Sequence, residues 1–360
     1  MSPRLRVVVL GAGGEMGRRV CRLAGQAPGA RVVGASRSGR GPAGVAMERA
    51  DVRDAASVAC VVRAGDLVVN CVGPYDYDPA PLVAASVTAR AHYADLADDA
   101  TFAASARTAA RASGAQAAGV FVCTGASTVP GLAGVFASAF ASSPRASEIA
   151  RVVAYLNVGS GNPVSAGLLA SLLAPLGRGL PEGGACFAEM RTLAAGDGRT
   201  LRFGAYPAPF VEQRVAIGAR TVPARFFFGF DRSAITALLH LASPTVARIA
   251  PPALRRISRA FLPFVRAASL LGTPLGVLAV CAEDAAGAEV GRVELSARTH
   301  GLDIPAAPPA WIAARLAGGA ALPGGPAELC DLVPLADVVG WARADSAYAL
   351  RATGGAALPA

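Results

Sequence analysis

At 360 residues the chain has room for two domains, and 53% hydrophobic against 16% charged residues excludes a disordered or fibrous protein. All 34 basic residues are arginine, which leaves no lysine for a Schiff base or for the Tyr-x-x-x-Lys pair of short-chain dehydrogenases. The net charge of +9 suits an anionic cofactor, an acidic substrate or a membrane surface, while arginines dispersed without an accompanying motif argue against nucleic acid.

In chain order, the first signal is an apolar β-branched run, residues 5–10, feeding into Gly11-Ala12-Gly13-Gly14-Glu15-Met16-Gly17, with 18–24 reading as a helix. Strand, glycine turn and helix build a socket for a diphosphate, because a helix N-terminus presents free N–H groups and partial positive charge. Gly11 permits the tight turn, Gly13 or Gly14 admits the phosphates, and Gly17 lets the helix pack on the strand, with Glu15 and Met16 in the same cofactor-binding turn. The spacing is one residue longer than the strict dinucleotide fingerprint. Residues 30–35 read as the second strand, followed by Ser36-Arg37-Ser38-Gly39-Arg40. An NAD site would place a carboxylate here, about 20 residues past the glycines, but none occurs between Glu15 and Glu48. Hydroxyls and guanidiniums suit a 2′-phosphate instead. The reading is NADP held by Ser36, Arg37, Ser38 and Arg40, the plainer alternative being a solvated basic loop. Asp51 and Val52 end a weak third strand and fall beside the adenine.

Leu67-Val68-Val69 is the apolar core of a fourth strand, which runs through Asn70 into Cys71-Val72-Gly73-Pro74-Tyr75. A helix over 80–90, a strand over 92–96, a helix over 101–113 and a strand over 119–123 follow, the last entering Thr124-Gly125. This alternation predicts an α/β protein with an N-terminal Rossmann doubly wound parallel sheet, whose ligands gather at the carboxyl ends of its strands. Cys71, Val72, Gly73 and Pro74 fall there beside the expected nicotinamide, as do Thr124 and Gly125. Tyr75, His92, Tyr93 and Asp95 are the candidate catalytic proton donors and acceptors near that edge, and Tyr77 is a further one. Tyr75 leads by position, and His92 has a suitable intrinsic pKa. Hydrogen bonding within the core is the competing role for Tyr93 and Asp95.

From about Ser147 the pattern changes to strands of mixed polarity over 149–158, 199–203 and 213–217, with a hairpin joining 277–281 to 291–298. An antiparallel sheet covered by helices is the inference. Residues 226–281 are strongly apolar and broken by proline, and arginines stand beside a Phe/Leu face over 255–266. That stretch reads as an internal apolar lid or a pair of helices in peripheral contact with a membrane, a full crossing being disfavoured by Pro263, Arg266 and Pro274. From about 303 the pattern is helical again. The seven cysteines lack a C-x-x-C pair and read as free thiols of a cytoplasmic protein. No leader is expected before the first strand, His240 and His300 read as structural, and no metal-ligand spacing is seen.

The chain resembles the saccharopine dehydrogenase-like (saccharopine reductase-like) oxidoreductases. The resemblance rests on residues 11–17, on Val69-Asn70-Cys71-Val72-Gly73-Pro74-Tyr75, on His92-Tyr93-Ala94-Asp95-Leu96, and on Thr124-Gly125 with Pro130-Gly131. It departs from the family at Arg90-Ala91, where a small glycine-containing turn is usual, and at Ser86, where cysteine is usual. It implies an NADP-binding Rossmann domain over 1–135 and an inserted α+β substrate domain over 136–300. Residues 301–360 are then a helical segment returning to the first domain. It further implies a homo-oligomer, such as a dimer, acting on a small-molecule substrate. The expected activity is NADPH-dependent hydride transfer to an imine or polarised double bond of a small or partly apolar metabolite. The alternative is a non-catalytic NADP-binding regulator or lipid-surface protein with the same fold. Saccharopine itself would require clustered arginines, for which Arg191, Arg199, Arg202 and Arg214 are the candidates.

Overall fold

The structure, a computed structural model, describes residues 5–210 and 213–359. Its elements in chain order are β1 (Leu5–Leu10), α1 (Glu15–Ala24), β2 (Ala30–Ser36), β3 (Ala46–Arg49), α2 (Ala55–Ala59), β4 (Leu67–Asn70), α3 (Ala80–Thr88), β5 (His92–Asp95), α4 (Ala100–Ala112), β6 (Phe121–Cys123) and α5 (Ala133–Ser138). There follow β7 (Arg151–Val158), α6 (Ala166–Leu173), β8 (Met190–Ala194), β9 (Thr200–Tyr206), β10 (Arg214–Ile217), β11 (Arg220–Phe230), α7 (Ser233–Val246), α8 (Pro251–Ser269), β12 (Gly276–Glu283) and β13 (Glu289–Ala297). The chain closes with α9 (Asp303–Ala306), α10 (Pro308–Ala317), β14 (Gly325–Ala327), α11 (Leu329–Leu332), α12 (Leu335–Ala344) and β15 (Tyr348–Gly354). Contacts divide it into a first unit, 1–135 with 303–338, and a second, 136–302 with 339–360.

The first unit holds a seven-stranded sheet in the order β14-β6-β5-β4-β1-β2-β3, parallel throughout. Apolar runs explain the centre: Val7, Val8, Val9 and Leu10 of β1 and all four residues of β4 are buried. The strand order reverses between β1 and β4, and in such sheets the crevice beyond their carboxyl ends receives the ligand. Helix α1 turns Val20, Cys21, Leu23 and Ala24 inward while Arg18 and Arg22 face water. Asp54 and Asp99 cap α2 and α4, each accepting a hydrogen bond from an N–H of the first turn. The fourth strand, whose sequence reads as Leu67-Val68-Val69 running into Asn70, forms over those residues, and the helical readings at 80–90 and 101–113 correspond to α3 and α4.

Three expectations need correction. The second unit's sheet, β15-β13-β12-β7-β11-β9-β8 with β10 beside β11, is mixed rather than antiparallel, because β7 and β11 run parallel. Phe226–Phe230 belongs to no apolar helix; it is the end of β11, where alternation of side chains across the pleat lets the phenylalanines serve both faces. The expectation for 301–360 fails at its end. Strand β15 pairs with β13, so 339–360 group with the second unit.

Residues 303–338 are tied into the first unit by charge as well as by packing. Asp303, buried at the head of α9, receives Arg19 Nη1 at 2.8 Å and also pairs with Arg22, both from α1. Removing the carboxylate would leave part-buried Arg19 with Glu15 alone as counter-charge and would break the tie between α1 and α9. Asp303→Ala is expected to cost about 2–3 kcal/mol, less than a fully buried pair because Arg22 is half-exposed. Urea unfolding would measure it, and a change under about 0.5 kcal/mol would show the pairs to be ornamental.

Candidate functional site

Gly11 leaves β1 with φ +80°, a left-handed conformation, and a Cβ there would stand 2.8 Å from Val72 Cγ2. Gly17, inside the first turn of α1, lies against Gly11 O, and a Cβ on it would also meet Ala12 Cα at 2.8 Å. Gly13 and Gly14 differ: a Cβ on Gly13 would meet Arg40 O at 2.9 Å, whereas Gly14 is exposed and occupies the N-cap. No side chain caps α1, so the first amides of the helix are left to another acceptor. Glu15 is engaged by Arg19, at 2.8 Å, and Met16 is half-buried.

The segment after β2 folds against this turn. Ser36 Oγ donates to Arg40 O at 2.9 Å, Gly39 N to Ser36 O at 3.1 Å, and Arg40 N to Ser38 Oγ at 3.3 Å. Arg37 and Arg40 are exposed, and among the described residues no carboxylate pairs with either. Val52 is buried, and half-buried Asp51 accepts from Arg53 N at 3.1 Å. The features a dinucleotide needs are therefore present: a tight turn, an uncapped helix start and uncommitted guanidiniums beside it.

At the neighbouring strand end the organising residue is Asn70, which closes β4 and is fully buried. Its Nδ2 donates to Tyr77 Oη at 2.8 Å and to Tyr93 Oη at 3.2 Å, its Oδ1 accepts from Val72 N at 3.1 Å, and its carbonyl accepts from Tyr75 Oη at 3.1 Å. Tyr75 and Tyr77 both meet the buried ring of Phe102 edge-on. Burial pushes all three phenols well above their usual pKa, so each is a neutral hydroxyl at ordinary pH. Cys71 and Gly73–Pro74, whose peptide is cis, continue the chain from Asn70. Asp95, beside Asn70 at the end of β5, accepts from Thr124 Oγ1, Gly125 N and Ala97 N at 2.9–3.0 Å. Burial raises its pKa against those hydrogen bonds.

His92 is not at this edge. It opens β5 opposite Leu67, three residues or about 10 Å before Asp95. Its ring stacks on Phe121, its Nδ1 accepts from Phe121 N at 3.3 Å, and burial lowers its pKa. The near coincidence of His92 and Asp95 in sequence concealed their placement at opposite ends of one strand. Asn70, by contrast, escaped the list of candidates, though an amide ending an apolar run signals a buried polar group that must find partners.

In the second unit three of the four arginines suggested for a polycarboxylate, Arg191, Arg199 and Arg214, are engaged. Arg191 pairs with Glu189 and Glu283 at 2.9 Å, Arg199 pairs with Asp197 at 2.6 Å, and Arg214 Nη2 donates to Thr221 O at 2.7 Å. His240 Nδ1 lies 2.6 Å from Phe187 O. All seven cysteines are free, and no cluster of three His, Cys, Asp or Glu side chains is placed to hold a metal among the described residues.

The parallel sheet and its glycine edge define a Rossmann-like unit. Residues 7–123 match the family model described as the saccharopine dehydrogenase NADP binding domain. Among solved structures, the chain is similar to apo saccharopine dehydrogenase (L-Glu forming) from Saccharomyces cerevisiae, at 12% identity and a TM-score of 0.58 over 97% of this chain and 99% of that one. This shows a shared fold across both units. An amine dehydrogenase from Mycobacterium smegmatis is 11% identical, with a TM-score of 0.44 over 92% and 96% of the two chains. No curated protein sequence matches.

Two predictions follow from this geometry. Gly17→Ala should destabilise by about 1–3 kcal/mol through its clash with the β1 turn, while Gly14→Ala, whose Cβ would approach only Gly11 O at 3.3 Å, should be close to neutral; urea midpoints compare them. Asp95 binds its proton more tightly folded than unfolded, so its contribution to stability is full below a pH of about 4 and is lost as pH rises through its raised folded value. Asp95→Asn, which retains an acceptor oxygen, should therefore lose less stability than the parent over that rise. Parallel stability curves in stepped-pH unfolding would contradict this.

Proposed function

We propose that the protein is an NADPH-dependent oxidoreductase that transfers hydride to an imine or polarised double bond of a small or partly apolar metabolite. The observation that carries this reading is the uncapped start of α1 at the glycine turn, with the unpaired guanidiniums of Arg37 and Arg40 beside it. Exposed Gly14 and the first amides of α1 hold the diphosphate. Ser36, Arg37, Ser38 and Arg40 receive the 2′-phosphate, and Asp51 and Val52 border the adenine. The bound nicotinamide supplies the hydride, and the strand end from Cys71 to Pro74, with Thr124 and Gly125, forms its floor.

The protein's own chemistry is then to orient the ring and supply a proton. Tyr75 is the leading donor because its residue is only part-buried and its neutral hydroxyl is held by Asn70 O, with Tyr93 and Asp95 positioning the network behind it. The second unit serves as the substrate domain. A C–N substrate is the first class to try, since the yeast protein sharing the fold is a saccharopine dehydrogenase. The engagement of Arg191, Arg199 and Arg214 favours fewer carboxylates than saccharopine carries.

Calorimetry with the two reduced nucleotides tests the cofactor. Arg37→Ala should weaken NADPH about 10- to 100-fold, the worth of a charge-assisted contact, and leave NADH unchanged. Arg37→Asp should move the preference towards NADH, whereas equal loss of both would reject the assignment. NADPH oxidation against imines, enones and enoyl thioesters tests the reaction. Tight binding without turnover on any of them would leave a binding protein rather than a reductase.

A further inference from the structure

Helices α7 and α8 carry large apolar side chains on their open faces. Leu238, Leu241, Phe261, Phe264, Leu270 and Leu271 are between 59% and 85% exposed, an unusual concentration for 34 consecutive residues of a folded domain. The two helices are consecutive, α7 packing on β9 and β11 and α8 on α6. Residues 247–250 connect them, and Arg232 Nη2 donates to Leu271 O at 2.6 Å.

On α8 the faces separate by period. Leu254 and Ser258 are buried, while Ile257, Phe261 and Phe264, at i, i+4 and i+7, form one exposed stripe. Arg255, Arg259 and Arg266 lie round the helix on the far side from the phenylalanines. The charge is of one sign. From Arg232 to Ala282 there are six arginines and no carboxylate. Asp231, just before α7, is taken up by Ser160 N at 2.7 Å and Thr273 N at 3.1 Å.

An apolar stripe backed by arginine and free of carboxylates is the composition of a helix lying in a membrane interface. No helix among the described residues is long and apolar enough to cross a bilayer, so the segment would lie on the surface rather than span it. A second copy meeting this segment two-fold brings no carboxylate to its arginines, whereas an anionic lipid surface answers them. We propose that the α7–α8 segment docks on an anionic lipid surface, with Phe261 and Phe264 of α8 and Leu270 and Leu271 just after it entering the boundary between headgroups and acyl chains. The arginines are drawn to the lipid phosphates. This inference is independent of the cofactor assignment.

Co-sedimentation of the full chain with phosphatidylcholine vesicles, with and without phosphatidylglycerol, tests it. The parent protein should pellet with the anionic vesicles and be released by high salt, which screens surface charge. Phe261→Glu/Phe264→Glu should cut vesicle binding by about 10-fold or more, with its thermal unfolding midpoint unchanged as proof of folding. Arg259→Gln/Arg266→Gln should weaken the preference for phosphatidylglycerol. Failure to pellet, or equal pelleting with neutral and anionic vesicles, overturns the proposal. So does a parent dimer that the double glutamate variant splits into monomers, since that assigns the face to a second copy.

Discussion

The backbone-on-backbone contact between the turn after β1 and the first turn of α1 sets the position of everything at the candidate site. Gly17 rests on Gly11 O, and any side chain at either glycine would drive helix and strand apart. With that spacing fixed, the helix start points over the carboxyl end of β1. The β2–β3 segment then closes against Gly13, and the end of β4 comes alongside through Cys71 N donating to Leu10 O. The cofactor edge follows from a close packing that only glycine allows.

Next to that edge the protein buries polarity at some cost. Asn70 and Asp95 end adjacent strands in fully buried surroundings; Asn70 and the Oδ1 of Asp95 each have several partners, while Asp95 Oδ2 is buried with none among the described residues. A buried carboxylate oxygen without a partner disfavours the charged form, in keeping with the raised pKa of Asp95. Rigid, neutral hydroxyls at the C-terminal edge of a parallel sheet are what a site must have if it is to orient a reactive ring without competing for its charge.

The first sheet was legible because its signals are local. β-Branched runs buried on both faces, glycines between strand and helix, and regular alternation identify β1, β2, β4 and β5 and their order along the chain. Sequence does not show which end of a short strand faces the site, so a local reading groups His92 with Asp95 although they open and close β5. In the second unit the informative contacts lie far apart in sequence. The phenylalanine run at 226–230 is apolar enough for a buried helix or a central strand, and only its pairing with β7 and β9 decides. Strand β15 was read as part of a helical tail because its partner, β13, ends about 50 residues earlier, beyond any local pattern.

The interleaving of the two units has a consequence for biosynthesis. As the ribosome extends the chain, the first 135 residues emerge without α9, α10 and β14, so the edge of β6 and the outer flank of α1 stay bare until more than 160 further residues are made. The second sheet waits in turn for β15 to cover β13. Neither nascent unit is finished before the other is well advanced, and maturation of the two is coupled by the order of translation alone.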